Sequence, residues 1–303
     1  MVKANHQSTH VPTASPLLLP FLAVLAGATA MGISPIFVRL AEVGPLTSAF
    51  WRVALALPII ALWARAERNH QEAEQDNAPQ WSPATFVAGA VFAGDLICWH
   101  LAIMHTTIAN ATFLATMAPV WVLLMSGLVL KEHVTLRMWA SLGLCLAGAA
   151  ALTGSSFSAN PEHLFGDAFG ILTSVFFGSY FLAMRAARTS GIGSGLLMFR
   201  SSLITAALLF IAAWLMEGDF LPDTVKGLSA LIAIALLSHA GGQGLLAYAL
   251  GHLSAAYSSL VIFLEAVVAA GVAWIILSET LTLLQIAGGA IILIAVLQAR
   301  PNR

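Results

Sequence analysis

Ten long apolar segments run through this chain of 303 residues and constrain its fold more than any other feature. Each is close to the roughly 20 residues that an α-helix needs to cross a bilayer core. Only 9% of the residues are charged, whereas soluble domains carry about 25%. We therefore predict an all-α polytopic membrane protein with ten transmembrane helices. The segments cover residues 17–38, 45–64, 83–104, 108–130, 136–154, 167–186, 192–215, 227–250, 255–277 and 281–299.

The connections between these segments are short, and the longest, at 65–82, is polar and too small to be a domain. The activity is therefore expected inside the membrane. The N-terminal stretch PLLLPFLAVLAGATA ends in small residues, Ala28-Thr29-Ala30, as a signal peptide does. Only Lys3 supplies positive charge before it, so we expect the segment to be retained as the first span.

Lysine and arginine are distributed unequally between the two ends of the segments. If the N-terminus is cytoplasmic, nine of them lie inside and only Arg39 and Lys226 fall at outside ends. By the positive-inside rule, both termini are expected in the cytoplasm, with the protein in the cell (inner) membrane. The nine are Lys3, Arg65, Arg68, Lys131, Arg137, Arg185, Arg188, Arg300 and Arg303.

The two halves of the chain are similar to each other. Residues 99–114 align with 246–261, and the stretch containing Glu132 aligns with the stretch containing Glu279, 147 positions later. Because each half holds five spans, an odd number, the halves would cross the membrane in opposite directions. We predict two inverted five-helix repeats, residues 1–155 and 156–303. Inverted repeats are typical of secondary transporters, whose substrate sites lie near the midplane between the repeats.

Four stretches resemble the drug/metabolite transporter superfamily, in its EamA-type branch of ten-span permeases. They are AFWR ending at Arg52, LMFR ending at Arg200, and the longer stretches 118–132 and 263–293. The resemblance covers nearly the whole chain. It implies a ten-helix fold and export of amino acids, metabolites or drugs, with bacterial amino-acid and aromatic amino-acid exporters as the nearest functional analogy.

The chain departs from the family pattern in the ninth segment. The family typically has Leu-Glu-Pro there, but residues 264–266 read Leu-Glu-Ala. Where the family has Gly-Glu, residues 278–279 read Ser-Glu. Without the proline, we expect the kink of the ninth helix to be lost, whereas Pro119 keeps it in the first half.

Asp95 lies deep in the third apolar segment, where a bare charge is costly. At about 1.5 Å per helical residue, Asp95 and Arg52 come to nearly the same depth, so we predict a contact between them. Trp99 and Phe92 share the helical face of Asp95. That face either lines a cavity or serves only to pair helices. Thr112 and Thr116 on the fourth segment either line the cavity or bond to their own backbone.

A second polar group occurs in the other half. Depth places Glu265, Arg200 and His239 at one level. Glu265 is the strongest functional candidate, as a ligand for a substrate amine or as a proton carrier. The alternative is a structural ion pair with Arg200. Gln243 lies beside the repeat equivalents of the Asp95 face.

Two further aromatic side chains complete the candidate site. Trp99 and Tyr180 lie within spans and could offer apolar surface to a substrate. The predicted cavity residues are therefore Asp95, Trp99, Tyr180, His239, Gln243 and Glu265, with Arg52 and Arg200 in buried ion pairs. GGQG at 241–244 indicates either tight packing or a bend in segment eight during transport. Under the second interpretation, Gly242→Leu slows flux and leaves folding intact.

The most favoured function is a secondary transporter that exports small organic solutes, above all amino acids including aromatic ones, by alternating access. The alternative is a drug or nucleotide-type permease. Phosphorylated substrates would need several cations, and only Arg52 and Arg200 are at hand.

An enzyme is not expected, since neither HExxH nor GxSxG occurs. Cys98 and Cys145 are interpreted as packing residues. The expected partners are a small-molecule substrate and the bilayer, without metal, cofactor or nucleic acid, and a monomer would suffice.

Overall fold

The computed structural model describes residues 17–71, 81–154, 161–277 and 281–300. Within these ranges the fold contains helices and no strands. Nine helical stretches there are long and apolar enough to cross a membrane, and Leu283–Gln298 is a shorter apolar helix in the tenth position. The predicted all-helical membrane fold is confirmed.

Three of the five spans in the first half consist of two consecutive helices. α1 and α2 form span one, α3 and α4 form span two, α5 is span three, α6 and α7 form span four, and α8 is span five. Their bounds are Leu18–Gly32 (α1), Ser34–Leu40 (α2), Pro45–Ala54 (α3), Leu57–Gln71 (α4), Pro83–His105 (α5), Ile108–Ala115 (α6), Ala118–Val129 (α7) and Leu136–Thr153 (α8).

The second half repeats this order with its own irregularities. α9 is span six and α10 is span seven. Span eight comprises α11, a π-helix and α12, span nine comprises α13 and α14, and α15 is span ten. Their bounds are Leu164–Thr189 (α9), Ser194–Met216 (α10), Val225–Ala233 (α11), Ile234–Gln243 (the π-helix), Gly244–Ala249 (α12), Ala255–Val261 (α13), Leu264–Leu277 (α14) and Leu283–Gln298 (α15).

Many helices begin where the sequence supplies an N-terminal cap. In six cases a hydroxyl accepts a hydrogen bond from the backbone N–H three residues later, which satisfies one of the free donors of the first turn. The capping residues are Ser82, Thr107, Thr135, Thr224, Ser254 and Thr282.

Proline explains three of the helix interruptions. A proline lies two residues after each of three breaks. Pro35 follows the break at Ile33, Pro58 follows that at residues 55–56, and Pro119 follows that at residues 116–117. Proline lacks the N–H that would continue the helical hydrogen bonds. These interruptions are therefore written into the sequence.

The ninth span is interrupted without proline, so the expectation of a continuous helix is wrong. α13 ends at Val261 and α14 begins at Leu264. α1 approaches this point closely, since a Cβ added to Gly32 would lie 2.8 Å from the carbonyl oxygen of Glu265. The break therefore coincides with a backbone contact between spans that are far apart in sequence.

Hydrogen bonds from backbone N–H groups to glutamate carboxylates join spans two and seven at both ends. Glu217, just after α10, accepts hydrogen bonds of 2.8 Å from the backbone N–H groups of Leu46 and Thr47 at the start of α3. Glu67 on α4 does the same for Ser194 and Gly195 at the start of α10, at 2.8 and 2.7 Å. A negative charge at a helix N-terminus is favourable because it meets free N–H donors and the positive end of the helix dipole. The reciprocal arrangement follows the inverted order of the two halves.

Gly242 is a packing residue, which corrects the expectation that leucine would be accommodated there. It lies in the π-helix, where a Cβ would fall 2.6 Å from Met31 Cγ and 3.2 Å from the carbonyl oxygen of Gly27. A leucine side chain has no space against α1. Gly242→Leu would disturb folding as well as flux, so it cannot isolate a bend in segment eight.

Spans five and ten touch through a pair of glycines. A Cβ on Gly148 would lie 2.7 Å from the Gly288 carbonyl oxygen, and a Cβ on Gly288 would lie 2.6 Å from that of Gly148. Small residues allow such backbone contact between membrane helices. This contact fixes the last span against the first half.

Replacing Gly148 by valine should therefore destabilise the protein. Overpacking of this kind costs about 1–3 kcal/mol or more, so we expect Gly148→Val to melt several degrees lower in detergent. Gly143→Val on the same helix is the matched control, because a Cβ at Gly143 meets no atom within 4 Å. Equal melting temperatures for the two variants would contradict this role of Gly148.

Candidate functional site

A cavity of about 660 Å³, including the part open to solvent, lies between the two halves of the chain. Its walls come from spans one to four of the first half and from spans six, eight and nine of the second. Several of the interrupted helices meet here. Helix interruptions at the level of a substrate site free backbone and side-chain polar groups for binding.

Five of the eight predicted site residues line this cavity. Asp95 and Trp99 lie one turn apart on α5, as their spacing predicted. Arg52 comes from α3, Gln243 from the end of the π-helix and Glu265 from the start of α14. Asp95 and Arg52, which were predicted at one depth, thus share one site with Gln243 and Glu265 of the second half.

The Arg52 guanidinium is held by two hydroxyl groups. Its Nη1 donates to Ser34 Oγ at 3.4 Å and its Nη2 to Ser238 Oγ at 3.2 Å. The guanidinium carbon lies 5.9 Å from the ring centre of Trp99, within reach of a cation–π attraction. Arg52 is 5% exposed, so these contacts form in a largely desolvated environment.

Asp95 and Glu265 both act on Arg52 electrostatically, yet neither pairs with it directly. The charge of Arg52 interacts with both carboxylates. Within the described ranges, however, the structure contains no hydrogen bond or ion pair between Arg52 and either of them. Oε1 of Glu265 is buried without a hydrogen-bond partner. The predicted contact between Asp95 and Arg52 is therefore not formed, and Arg52 is in no ion pair among the described residues.

Tyr180 and His239 stand behind the cavity wall. The Tyr180 ring stacks on Phe92 with ring centres 4.5 Å apart and on Phe177 at 6.3 Å, and Phe177 lines the cavity. His239 lies 5.6 Å from the Phe92 ring, and its Nε2 is 2.9 Å from Ser202 Oγ. These two residues support the wall; they do not line the cavity.

Arg200 points away from the site. Its guanidinium lies 4.9 Å from the ring centre of Trp81, at the start of span three. The charges that act on Glu265 are those of Arg52 and Asp95. The expected cluster of Glu265, Arg200 and His239 is therefore not assembled. Depth was inferred from backbone positions, whereas a long arginine side chain can carry its charge toward the membrane surface.

Several hydroxyl groups complete the lining. Thr112 and Thr116 both face the cavity, and Thr116 Oγ1 also donates to the carbonyl oxygen of Phe113 at 2.7 Å. Sequence analysis missed Ser34 and Thr173, which line the cavity, and Ser238, which contacts Arg52. Serine and threonine are common within membrane helices, so the only available signal was the position of Ser34 next to Pro35 at a helix break.

A network of hydrogen bonds joins the halves beyond one end of the cavity. Arg185 on α9 donates to Glu132 Oε1 at 2.7 Å and to the carbonyl oxygen of Leu250 at 2.8 Å. Glu132 Oε2 accepts from the backbone N–H of Ala255 at 3.0 Å, the first residue of α13. Every residue of α13, from this network to the cavity level at Ile262, is buried. The network thus ties the start of α13 to the first half, one short helix away from the cavity. Glu279, the repeat equivalent of Glu132, lies outside the described residues.

Comparison with known proteins agrees with a membrane fold built from two similar halves. The pseudopaline exporter CntI of Pseudomonas aeruginosa, in strains UCBPP-PA14 and PAO1, is 30% identical over 217 residues, or 71% of this chain and 74% of the relative. A solved structure described as "Crystal structure of protein" shares the fold, with a TM-score of 0.76 at 16% identity over 93% of this chain and 95% of that one. The EamA-like transporter family matches residues 18–154 and again 164–299. The chain therefore belongs to the EamA-like transporter family and is a multi-pass membrane transporter, not an enzyme.

Proposed function

We propose that this transporter exports amino acids and related zwitterionic solutes, including aromatic ones, through the cavity between its halves. The observation that carries the proposal is the set of charges in the cavity. Two carboxylates, Asp95 and Glu265, face one guanidinium, Arg52, and none of the three is consumed in a direct ion pair among the described residues. An amine and a carboxylate on one small molecule would satisfy both kinds of charge.

The two ends of such a substrate have distinct partners. A substrate ammonium group would donate charge-assisted hydrogen bonds to Asp95 or Glu265, and its carboxylate would meet the planar donors of Arg52. Buried polar atoms left without partners are costly. The unpartnered Oε1 of Glu265 and Oε1 of Gln243 are thus natural acceptors for an incoming donor.

The rest of the lining suits a side chain of moderate size. Trp99, Phe177, Leu96 and Ile262 provide apolar surface, and the Thr112 hydroxyl adds a polar contact. Aromatic rings pack well against such surfaces. The lining therefore supports a broad range of amino acids.

Other cargoes are supported less strongly. Among the described residues that line the cavity, Arg52 is the only cation, and a nucleotide-type substrate would call for several. A drug-like cargo needs no guanidinium at all. The relative is named as a pseudopaline exporter, and its 30% identity makes pseudopaline the second candidate substrate for this chain.

Transport would proceed by alternating access, with residues 1–155 and 156–303 as the two units that move. In the orientation that places both termini in the cytoplasm, the end that carries the Glu132–Arg185 ion pair faces the cytoplasm. Export then requires that end to open and load the cavity. One chain contributes the whole site, so a monomer would suffice.

Replacing Glu265 by glutamine should abolish or greatly weaken exchange of amino acids. Loss of a charged hydrogen-bond partner is worth about 1.5–3 kcal/mol, which corresponds to about 10- to 100-fold in affinity. The measurement is counterflow of a labelled amino-acid panel in proteoliposomes, with and without a pH gradient. Asp223→Asn, in an exposed loop, is the control and should behave as wild type.

Two outcomes of this measurement would change the proposal. Saturable flux that survives in Glu265→Gln would make Glu265 a structural residue. If wild type exchanges none of the amino acids, amino-acid export is wrong, and pseudopaline, drugs and nucleotide-type metabolites become the candidates to assay in the same vesicles.

Arg52→Lys should raise the KM for amino acids about tenfold or more. Lysine keeps the positive charge but cannot make the two-pronged contact of a guanidinium with a carboxylate. Arg200→Lys is the matched control, since Arg200 lies over Trp81 outside the cavity and should leave KM unchanged. The measurement is initial-rate uptake of phenylalanine over a range of concentrations. Similar KM values for both variants would argue against carboxylate recognition by Arg52.

A further inference from the structure

Arg52, Asp95 and Glu265 line one cavity and interact electrostatically, but Arg52 is not hydrogen-bonded to either carboxylate. In a desolvated site, attraction between opposite charges is strong, and Arg52 has two carboxylates acting on it. Nevertheless, its hydrogen-bond partners in the described structure are the hydroxyl groups of Ser34 and Ser238. These neutral acceptors take two of the five N–H donors of the guanidinium, and its Nε–H has no hydrogen-bond partner.

Irregular backbone places both hydroxyl groups. Ser34 is the first residue of α2, directly after the break of span one at Ile33. Ser238 lies in the π-helix of span eight, and single π-helical turns often occur at functional positions. Both serines are buried, at 3% and 0% exposure, so water does not compete for Arg52 at these contacts.

The two serines approach the guanidinium from different directions. Ser34 and Arg52 belong to the first half of the chain, whereas Ser238 belongs to the second. One serine bonds Nη1 and the other bonds Nη2, so the orientation of the guanidinium plane is fixed. A guanidinium restrained in this way cannot rotate toward Asp95 or Glu265 without giving up both bonds.

We propose that Ser34 and Ser238 are positioning residues that hold Arg52 apart from the two carboxylates. The cavity then keeps separated positive and negative charges ready for a zwitterion. This inference rests on the proposed function, which it deepens by assigning selectivity for a substrate carboxylate to two hydroxyl groups. Without them, Arg52 loses its acceptors and turns to Asp95 or Glu265, the carboxylates that share its cavity.

The test compares Ser34→Ala, Ser238→Ala and the double variant with wild type. The first readout is competition against labelled phenylalanine uptake by unlabelled phenylalanine and by phenylalaninamide, which keeps the amine and lacks the carboxylate. We expect the preference for phenylalanine over the amide to fall at least fivefold in the double variant. A purely structural role would weaken both ligands equally and leave this ratio unchanged, which would overturn the proposal.

The second readout needs no substrate. Dicyclohexylcarbodiimide labels unpaired carboxyl groups in membrane helices, and peptide mass spectrometry quantifies the label on Asp95 and Glu265. We expect at least threefold less label in the double variant on the carboxyl group with which Arg52 then pairs, whether Asp95 or Glu265. Unchanged labelling would overturn the proposal. Reduced labelling in a protein whose wild type transports no amino acid would retain the positioning role and refute only the proposed substrate.

Two further variants separate this role from a loss of folding. Ser141→Ala removes a buried hydroxyl that has no hydrogen-bond partner and is far from the cavity lining, so it should match wild type in both readouts. Ser34→Thr keeps a hydroxyl next to Arg52 and should restore the wild-type ratio and labelling. If the double variant does not fold, the two single variants carry the same comparison with smaller effects. Equal behaviour of Ser141→Ala and Ser238→Ala would overturn the proposal.

Discussion

A buried guanidinium organises the centre of this transporter. Arg52 is removed from water, and a desolvated charge persists only where polar partners surround it. Two serines bond it, an indole ring lies beside it and two carboxylates act on it from across the cavity. These partners come from four other spans in both halves, so the environment of this charge forms only when the halves are assembled around it.

The irregular helices place hydrogen-bond acceptors beside the Arg52 guanidinium. A regular membrane helix satisfies its own backbone and presents apolar side chains to its neighbours. Where span one breaks at Ile33 and span eight becomes a π-helix, side chains reach directions that a continuous helix would not offer. Glycine contacts such as Gly27 with Gly242 then bring those irregular segments close together. The geometry of the site therefore depends directly on how the helices pack in this fold.

Much of this arrangement could be predicted from residues alone. The length of the apolar segments determined the spans, and the odd number per half determined the inverted order. Depth predicted one level for Asp95 and Arg52, and both line the cavity, where Glu265 of the second predicted group joins them. The prediction was wrong for Arg200, whose flexible side chain reaches Trp81, and for the ninth span, which breaks without a proline.

Hydropathy and periodicity are local properties of the chain, so the residues alone predict the class of the protein, its spans and the residues too polar to face lipid. Which polar groups meet depends on the tertiary packing. Arg52 bonds Ser34 and Ser238 instead of Asp95, and Glu217 caps a helix 170 residues away in the chain. Such partners depend on how helices cross and where side chains point. Those features arise from the packing of distant segments and leave no periodic pattern in the sequence.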